Sequence, residues 1–173
     1  MAKYLIDANV FIQAKNMYYR FDFCGGFWDW LKIAHENDLV FSIKKVKDEL
    51  TAWEDNCCAW VRTLPDSFFI DDMADAKVMA EYRGIMRWIA GADFKDTAKK
   101  EFARNEVADA FLIAAAKAHG YTVVTQEQSN PASRRKIYLP DAAAANDVET
   151  MYVYDMLSKH SDSTFIHREL LDV

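Results

Sequence analysis

Four acidic residues lie far apart in the chain, at positions where predicted strands end or predicted helices begin: Asp7, Glu49, Asp109 and Glu127. Asp7 follows the apolar run Tyr4–Ile6, and Glu127 ends the run Thr122–Glu127. Carboxylates at the carboxyl ends of adjacent parallel strands enter one crevice, where like charges repel unless a divalent cation neutralises them. The pattern therefore predicts a metal site.

The chemistry expected of such a site follows from its donor atoms. A cluster of carboxylate oxygens without histidine or cysteine partners favours Mg²⁺ or Mn²⁺ over Zn²⁺. These ions generate a hydroxide nucleophile and stabilise the attacking and leaving oxygens of a phosphodiester displacement. We therefore expect hydrolysis that needs no nucleophilic side chain.

The elements that must position these acids alternate between strand and helix. Short apolar runs predict strands at residues 3–6, 39–43, 68–70, 122–125 and 137–139. Helical spacing of apolar residues predicts helices at residues 8–18, 27–34, 44–55, 73–90, 96–103, 107–119 and 148–157. This alternation indicates an α/β fold with a central parallel sheet, helices on its faces and right-handed crossovers.

Two segments and one glycine separate the predicted elements. The aromatic segment before the Gly25-Gly26 pair is expected to be a loop, and Gly120 is expected to end the preceding helix. Residues 126–136 are polar and predict a mobile loop on the same side as Glu127. Without a repeat or linker, we expect a single domain, with a core of about 3–140 and a C-terminal helix and tail at 141–173.

Composition restricts the class of protein. A chain of 173 residues with 51% hydrophobic residues can bury a core without disulfides, so we expect Cys24, Cys57 and Cys58 to be reduced packing residues. The chain shows neither a signal-peptide pattern nor a run of 18 apolar residues. We therefore expect a soluble, cytoplasmic protein without a membrane partner.

The net charge of −6 argues against nucleic-acid binding through bulk electrostatics. It is compatible with a local basic groove, since four clustered carboxylates account for much of the acidic excess. Arg134, Arg135 and Lys136 form a basic run in the predicted loop. Their interpretation is open between a phosphate contact and a solvated loop.

Four sequence motifs carry a resemblance to the PIN-domain family. Tyr4–Phe11 (YLIDANVF) looks like the opening of a PIN domain, and Val46–Leu50 (VKDEL) resembles its second acidic motif. Val107–Ala114 (VADAFLIA) is similar to the third motif, and Val123–Glu127 (VVTQE) to the fourth. The motifs cover roughly residues 3–140. The aromatic segment Gln13–Trp30 resembles a subgroup of PIN proteins to which no function has been assigned.

The resemblance implies a three-layer α/β/α fold and a metal-dependent ribonuclease, as in the VapC-type toxins of toxin–antitoxin pairs. By motif, it implies that the metal-site acids are Asp7, Glu49, Asp109 and Glu127. Asn9 would support the first of them, and Asp141 is a further candidate acid. Glu127 departs from the aspartate of many members, and its extra methylene moves the carboxylate. The implied partners are an RNA substrate and an antitoxin protein, and family members often form homodimers.

Each acid also has an ordinary structural interpretation. Asp7 is suited to cap a helix, and Asp109 to sit in a solvated first turn favoured by the helix dipole. Glu49 lies among other charges of an exposed face, and Glu127 taken alone is a common loop acid. The metal-site hypothesis therefore depends on the joint occurrence of all four.

Other side chains and other functions are also open. The aromatic residues between Tyr18 and Trp30 are expected to belong to the core or a dimer interface, with base stacking as the alternative. The four histidines are expected to be exposed: His35, His119, His160 and His167. An inactive RNA- or protein-binding module is the alternative to a nuclease. A haloacid-dehalogenase-type phosphatase is disfavoured, because Asn9 stands where that chemistry needs a second aspartate.

Overall fold

Five short parallel strands form the centre of the fold. The computed structural model describes residues 2–104 and 107–162. The strands are β1 (Tyr4–Ile6), β2 (Val40–Ile43), β3 (Phe69–Ile70), β4 (Thr122–Val124) and β5 (Thr150–Met151). Their order across the sheet is β3-β2-β1-β4-β5, and every neighbouring pair is parallel. The predicted α/β class with a central parallel sheet is confirmed.

Helices cover both faces of the sheet and give a three-layer α/β/α architecture. They are α1 (Ala8–Gln13), α2 (Gly25–Glu36), α3 (Lys44–Thr51), α4 (Asn56–Val61), α5 (Ala76–Gly91), α6 (Asp96–Phe102), α7 (Asp109–His119), α8 (Leu139–Ala144) and α9 (Val153–His160). A π-helical turn, Ala14–Tyr18, extends α1, and a 3₁₀ turn, Asp66–Phe68, precedes β3. In the described part of the chain, every helix is too short or too polar to cross a lipid bilayer.

Helix α7 is the main support of the sheet. It contacts β1, β2 and β4 on one side and α5 on the other. Its residues Ala110–Ala116 are all buried, and the small alanine side chains let the helix lie close to the strands. Gly120 ends the helix at φ +70°, a left-handed conformation that glycine adopts without strain, as the sequence predicts.

The aromatic segment packs into the core around Trp28. This side chain is 2% exposed, and its ring lies 4.0 Å from that of Phe21 and 4.9 Å from that of Trp60. Its indole Nε1–H donates a 2.7 Å hydrogen bond to the carbonyl of Tyr19. Phe11 of α1 contacts the same ring. The core interpretation is confirmed for Phe27 and Trp28, whereas it is wrong for Tyr18 and Phe23, which are 51% and 70% exposed.

Two predicted elements near the C-terminus are wrong. Residues 137–139 do not form a strand, because Leu139 begins α8 and Pro140 occupies the first turn, where a proline needs no N–H partner. The helix predicted over residues 148–157 starts only at Val153. Before it, Thr150–Met151 pairs with β4 as an edge strand that is too short to show a periodicity in the sequence.

Two helix predictions differ in their boundaries. The helix predicted over residues 44–55 ends at Thr51, and α4 follows as a separate helix that the sequence did not predict. Asp55 begins α4 by accepting a 2.9 Å hydrogen bond from the Cys58 amide, a side-chain cap that sets the new helix direction. The Gly25-Gly26 pair opens α2 instead of interrupting the chain before it.

Histidine exposure is predicted only in part, whereas the cysteine prediction holds. His35 and His119 are half-buried, and the His119 ring hydrogen-bonds Asp75 at 2.9 Å, so the expected exposure is wrong for both. His160 is exposed as expected, and His167 and the tail beyond residue 162 lie outside the described residues. All three cysteines are free thiols.

We expect Trp28→Ala to lower the free energy of unfolding by about 3–5 kcal/mol, because it removes a buried indole and leaves a cavity. Urea denaturation followed by circular dichroism measures this loss. Trp53→Ala is the matched control, since Trp53 is 79% exposed and its removal should change stability by less than about 0.5 kcal/mol. Equal losses in the two variants would contradict the assignment of Trp28 as the centre of the aromatic core.

Candidate functional site

The carboxyl ends of β1 and β4 lie side by side in the middle of the sheet. From β1 the chain continues to β2 and β3 on one side, and it later returns to form β4 and β5 on the other side. This arrangement leaves a crevice between β1 and β4, and α/β proteins bind ligands at such a switch point. Asp7 follows β1 directly, and its amide donates a 3.0 Å hydrogen bond to the carbonyl of Val124.

A hydroxyl group joins the two strand ends. Thr125 Oγ1 donates a 2.8 Å hydrogen bond to Asp7 Oδ2. The same oxygen accepts hydrogen bonds from the Asn9 side-chain amide at 3.0 Å and from the Glu127 backbone amide at 3.1 Å. Asn9 Oδ1 in turn accepts a 3.0 Å hydrogen bond from the Gln126 amide. Asn9 thus supports Asp7 indirectly, through Thr125.

Thr125 is a site residue that the sequence reasoning missed. It is 2% exposed and follows the last residue of β4, so its side chain points into the crevice and not into solvent. A polar residue directly after an apolar strand was the available signal. Its short side chain can accept and donate at once, which explains how a single hydroxyl organises three neighbours.

Asp7 occupies the N-cap position of α1 but does not act as a cap. Its backbone is extended, and its side chain makes no cap hydrogen bond. The carboxyl is 4% exposed and receives the Thr125 hydroxyl instead. The capping interpretation is therefore wrong, and the position of Asp7 needs another explanation.

The pKa values show that the acids lie close enough to repel one another. Burial is the main cause that raises the pKa of Asp7 to about 8. The hydrogen bond from Thr125 opposes this rise. Three neighbouring negative charges add to it: Asp109, Glu49 and Glu127. All four predicted acids therefore meet in one region of the structure.

Asp109 lies in the first turn of α7, which opens at the same edge of the sheet. Burial raises the pKa of Asp109 to about 7, and the charges of Glu127 and Glu49 contribute to the rise. Lys136 lowers this pKa by a smaller amount. Asp109 is thus not a freely hydrated helix-terminal charge, because a hydrated carboxyl would keep its ordinary pKa.

Glu49 reaches the site from α3, whose N-terminus is held by another buried acid. Asp72 is 2% exposed and accepts a 3.1 Å hydrogen bond from the Lys45 amide in the first turn of α3. Partial burial raises the pKa of Glu49. The negative charge of Glu49 also raises the pKa values of Asp7 and Asp109. These two carboxyl groups therefore lose their protons at a higher pH than they would without Glu49.

Glu127 is the acid with the most partners. Its Oε2 accepts a 2.6 Å hydrogen bond from the Leu139 amide, and its Oε1 forms an ion pair with the Lys136 ammonium. The Glu127 side chain is 19% exposed and that of Lys136 is 58% exposed. This ion pair is the main cause that raises the pKa of Lys136. Lys136 therefore places a cation beside the acids.

Contacts with neighbouring segments hold the rest of the predicted basic loop. Arg134 Nε donates to Asp93 Oδ2 at 3.1 Å, and the Arg134 carbonyl accepts a 2.8 Å hydrogen bond from the Lys95 amide. Asp141 accepts a 2.7 Å hydrogen bond from the Asn130 amide. Asp141 thus orders the loop and does not appear among the causes that shift the pKa values of the central acids.

Arg135 points away from these contacts. It is exposed and makes no hydrogen bond or ion pair with the residues that the structure describes. With Lys95 and Arg134 it lines an open cleft of about 520 Å³. The three residues of the predicted basic run therefore differ in their contacts. Lys136 contacts the acids and Arg134 holds the loop to a neighbouring segment, whereas Arg135 is free to contact a ligand.

The donor set is chemically suited to a hard cation, but its present spacing is wider than a binding site requires. Among residues 2–104 and 107–162, no three acidic, histidine or cysteine side chains are close enough to hold one metal ion as they stand. The four acids nevertheless supply oxygen donors in one acidic region, from buried Asp7 through half-buried Asp109 and Glu127 to exposed Glu49. Such donors suit Mg²⁺ or Mn²⁺.

We expect Asp7→Asn to stabilise the metal-free protein at pH 7 by about 4 kcal/mol. The folded-state pKa of Asp7 is raised from 3.8 to about 8, so folding favours its protonated form. That contribution is complete below pH 3.8 and is lost as the pH rises through about 8, so the two proteins should converge in acid. Thermal unfolding across this pH range measures the difference.

Asp48→Asn is the control for this experiment, because it removes the same charge from an exposed position one residue before Glu49. It should change the unfolding temperature little at any pH. If Asp7→Asn instead destabilised the protein at pH 7, the carboxylate of Asp7 would be a favourable structural group, and the repulsion between the acids would be too weak to matter.

Comparison with known proteins identifies the family of the chain. Neither a curated protein nor a solved structure matches it significantly. A family model described as a domain of unknown function (DUF4411) matches residues 4–164, a range that contains all four acids and both ends of the sheet. The chain therefore belongs to the DUF4411 family.

Proposed function

We propose that this protein is a metal-dependent endoribonuclease of the PIN type, which hydrolyses RNA phosphodiester bonds. The observation that supports the proposal is the convergence of four acids from separate elements at the β1/β4 switch point. Burying like charges together destabilises a fold, so the arrangement is better explained by a bound cation than by stability.

The acids would hold Mg²⁺ or Mn²⁺ through carboxylate oxygens, with Asp7 and Asp109 at the buried end and Glu49 nearer the surface. A bound ion of this kind lowers the pKa of a coordinated water and stabilises charge on a phosphate oxygen. Glu127 is the acid whose two oxygens are already engaged, by Leu139 and Lys136.

The other residues of the site orient the acids and the substrate. The Thr125 hydroxyl fixes one oxygen of Asp7, and Asn9 fixes Thr125. Lys136 lies where its ammonium can approach a phosphate oxygen, and exposed Arg135 can contact the RNA backbone further along. These contacts supply position and charge, while neither residue removes a proton.

The biological role that we propose is that of a cytoplasmic toxin whose partner is an antitoxin protein. This part of the proposal is supported by the resemblance of the four motifs to VapC-type toxins. An antitoxin would inhibit the nuclease by covering the crevice. We also propose a homodimer, because members of the PIN family often form homodimers.

A binding module without catalytic turnover is the second candidate function. The ion pair between Glu127 and Lys136 favours it, because an internal ammonium already compensates part of the acidic charge. The wide spacing of the acids in the described residues favours it as well. In this case the fold would act through contacts with RNA or protein alone.

The nuclease proposal predicts that Asp7→Asn and Asp109→Asn each reduce Mn²⁺-dependent RNA cleavage at least about 100-fold, because each removes a charged ligand. Gel analysis of a labelled single-stranded RNA, with and without Mn²⁺, measures the rate. Asp48→Asn should cleave like the unchanged protein, since Asp48 is exposed on α3. Full cleavage by both site variants would show that these acids are not ligands.

Removing the internal ammonium tests the choice between the two functions. If the acids bind a metal ion, Lys136→Met should raise the Mn²⁺ affinity several-fold, because Glu127 loses its competing cation. Isothermal titration calorimetry measures this affinity in both proteins, and Lys100→Met, at an exposed position of α6, serves as the charge control. Well-folded protein that binds no Mn²⁺ in either form would favour the binding module.

A further inference from the structure

Two tyrosines follow strand β5 at the edge of the sheet where the acids lie. Strand β5 ends at Met151, and Tyr152 and Tyr154 follow it at the same carboxyl edge that carries the continuation of β4. The Thr125 amide donates a 3.0 Å hydrogen bond to the Met151 carbonyl, so the two strand ends are directly joined. The start of α9 is therefore a neighbour of the Thr125 network.

Gln126 connects the tyrosines to the acidic site. Its backbone amide donates to Asn9, while its side-chain Oε1 accepts a hydrogen bond from the Val153 amide at 3.4 Å. Val153 directly precedes Tyr154, so this bond holds the backbone beside the tyrosine. Gln126 lies between Thr125 and Glu127 in the chain, so the residue that holds the start of α9 is covalently joined to two site residues.

The tyrosine rings are held in place but are not covered. Tyr18 meets Tyr154 edge to face, with ring centroids 6.0 Å apart and planes at 79°. Behind them, Tyr19 stacks on Phe27 at 4.4 Å. Tyr18 is 51% exposed, and Tyr154 and Tyr152 are each 43% exposed. The rings thus expose ordered aromatic surface to solvent, although burying this surface would lower its free energy.

We propose that Tyr18 and Tyr154, whose rings meet nearly at right angles, form a platform for one unpaired base of a single-stranded RNA bound at the acids: the base stacks on the face of one ring, and its edge contacts the other. This inference rests on the proposed nuclease function and specifies its substrate. An uncharged aromatic surface suits a base, while a divalent cation held by the acids and the basic loop suit the phosphate backbone. A base in a duplex has both faces stacked and cannot use such a platform, so the substrate is single-stranded.

The platform predicts a selective loss of binding. Tyr18→Leu and Tyr154→Leu retain apolar bulk but remove the ring, and each should weaken binding to single-stranded RNA about tenfold. The probe is a short RNA containing 2-aminopurine, whose fluorescence is quenched when the base stacks, titrated with Ca²⁺ in place of Mn²⁺ so that the acids are neutralised while cleavage is suppressed. Both Leu variants should lose the quench, and binding to duplex RNA should be unchanged.

The controls separate stacking from other effects. Tyr18→Phe and Tyr154→Phe retain the ring and should retain both affinity and quench. Trp53→Leu removes a different exposed aromatic residue and should have no effect. Circular dichroism identifies any variant that fails to fold. If the Tyr154 variant fails to fold, the Tyr18 variant is sufficient for the test, because more than half of the Tyr18 surface is exposed to solvent.

Three results would overturn the platform. Leu variants that keep the quench and the affinity would show that the rings do not stack on RNA, while Asp7-dependent cleavage would leave the nuclease function standing. A dimer of the unchanged protein that dissociates in the Leu variants, seen by sedimentation, would show that the rings bind a second copy. Unchanged protein that neither binds nor cleaves single-stranded RNA would overturn the platform together with the proposed function.

Discussion

Repulsion between buried carboxyl groups is the constraint on which this structure depends. Asp7 and Asp109 come from different elements and both lie where loss of hydration and neighbouring negative charge raise their pKa values. A fold has no reason of stability to assemble such groups, because hydrophobic residues of similar size would pack there without the repulsion. The surrounding helices and strands must therefore hold the acids in place. A cation that enters the crevice would be bound favourably, because it relieves the repulsion between the carboxylates.

The scaffold meets this constraint with short connections and close packing. Strands β1 and β4 pair directly, so the residues that follow them cannot separate. The alanine-rich face of α7 lies close to both strands and brings Asp109 to the same edge. On the far side, the stacked rings around Trp28 hold α1 and α2 together, which fixes the helix that begins at Asp7. The site is thus positioned by rigid elements, as precise chemistry requires.

The loop after β4 links the acidic site to its surroundings. Glu127 accepts a hydrogen bond from the Leu139 amide at the start of α8 and forms an ion pair with Lys136. The end of the loop therefore contacts the side chain of Glu127, the residue near its beginning. Gln126 continues the network to the start of α9, beside its exposed tyrosines. Consecutive residues of one segment therefore contact the metal-site candidates, an internal cation and the start of the helix that carries Tyr154.

The amino-acid sequence alone was sufficient for the parts of the structure with a local or periodic signal. Apolar runs marked β1, β2 and β4, helical spacing marked α5 and α7, and Gly120 marked the end of α7, because each depends on neighbouring residues. The short edge strand β5 and the separate helix α4 had no such signal. They form because a neighbouring strand or a capping side chain is already in place.

The amino-acid sequence also indicated which acids to consider, whereas only the tertiary structure showed where they lie and what they contact. Taken alone, Asp7 fits a helix cap as well as a ligand, because local sequence is the same in both cases. The fold decides against the cap by directing its carboxyl to Thr125, which is 118 residues away in the chain. The ion pair of Lys136 with Glu127 and the exposure of Tyr154 were equally hidden, since both depend on residues that meet only after folding.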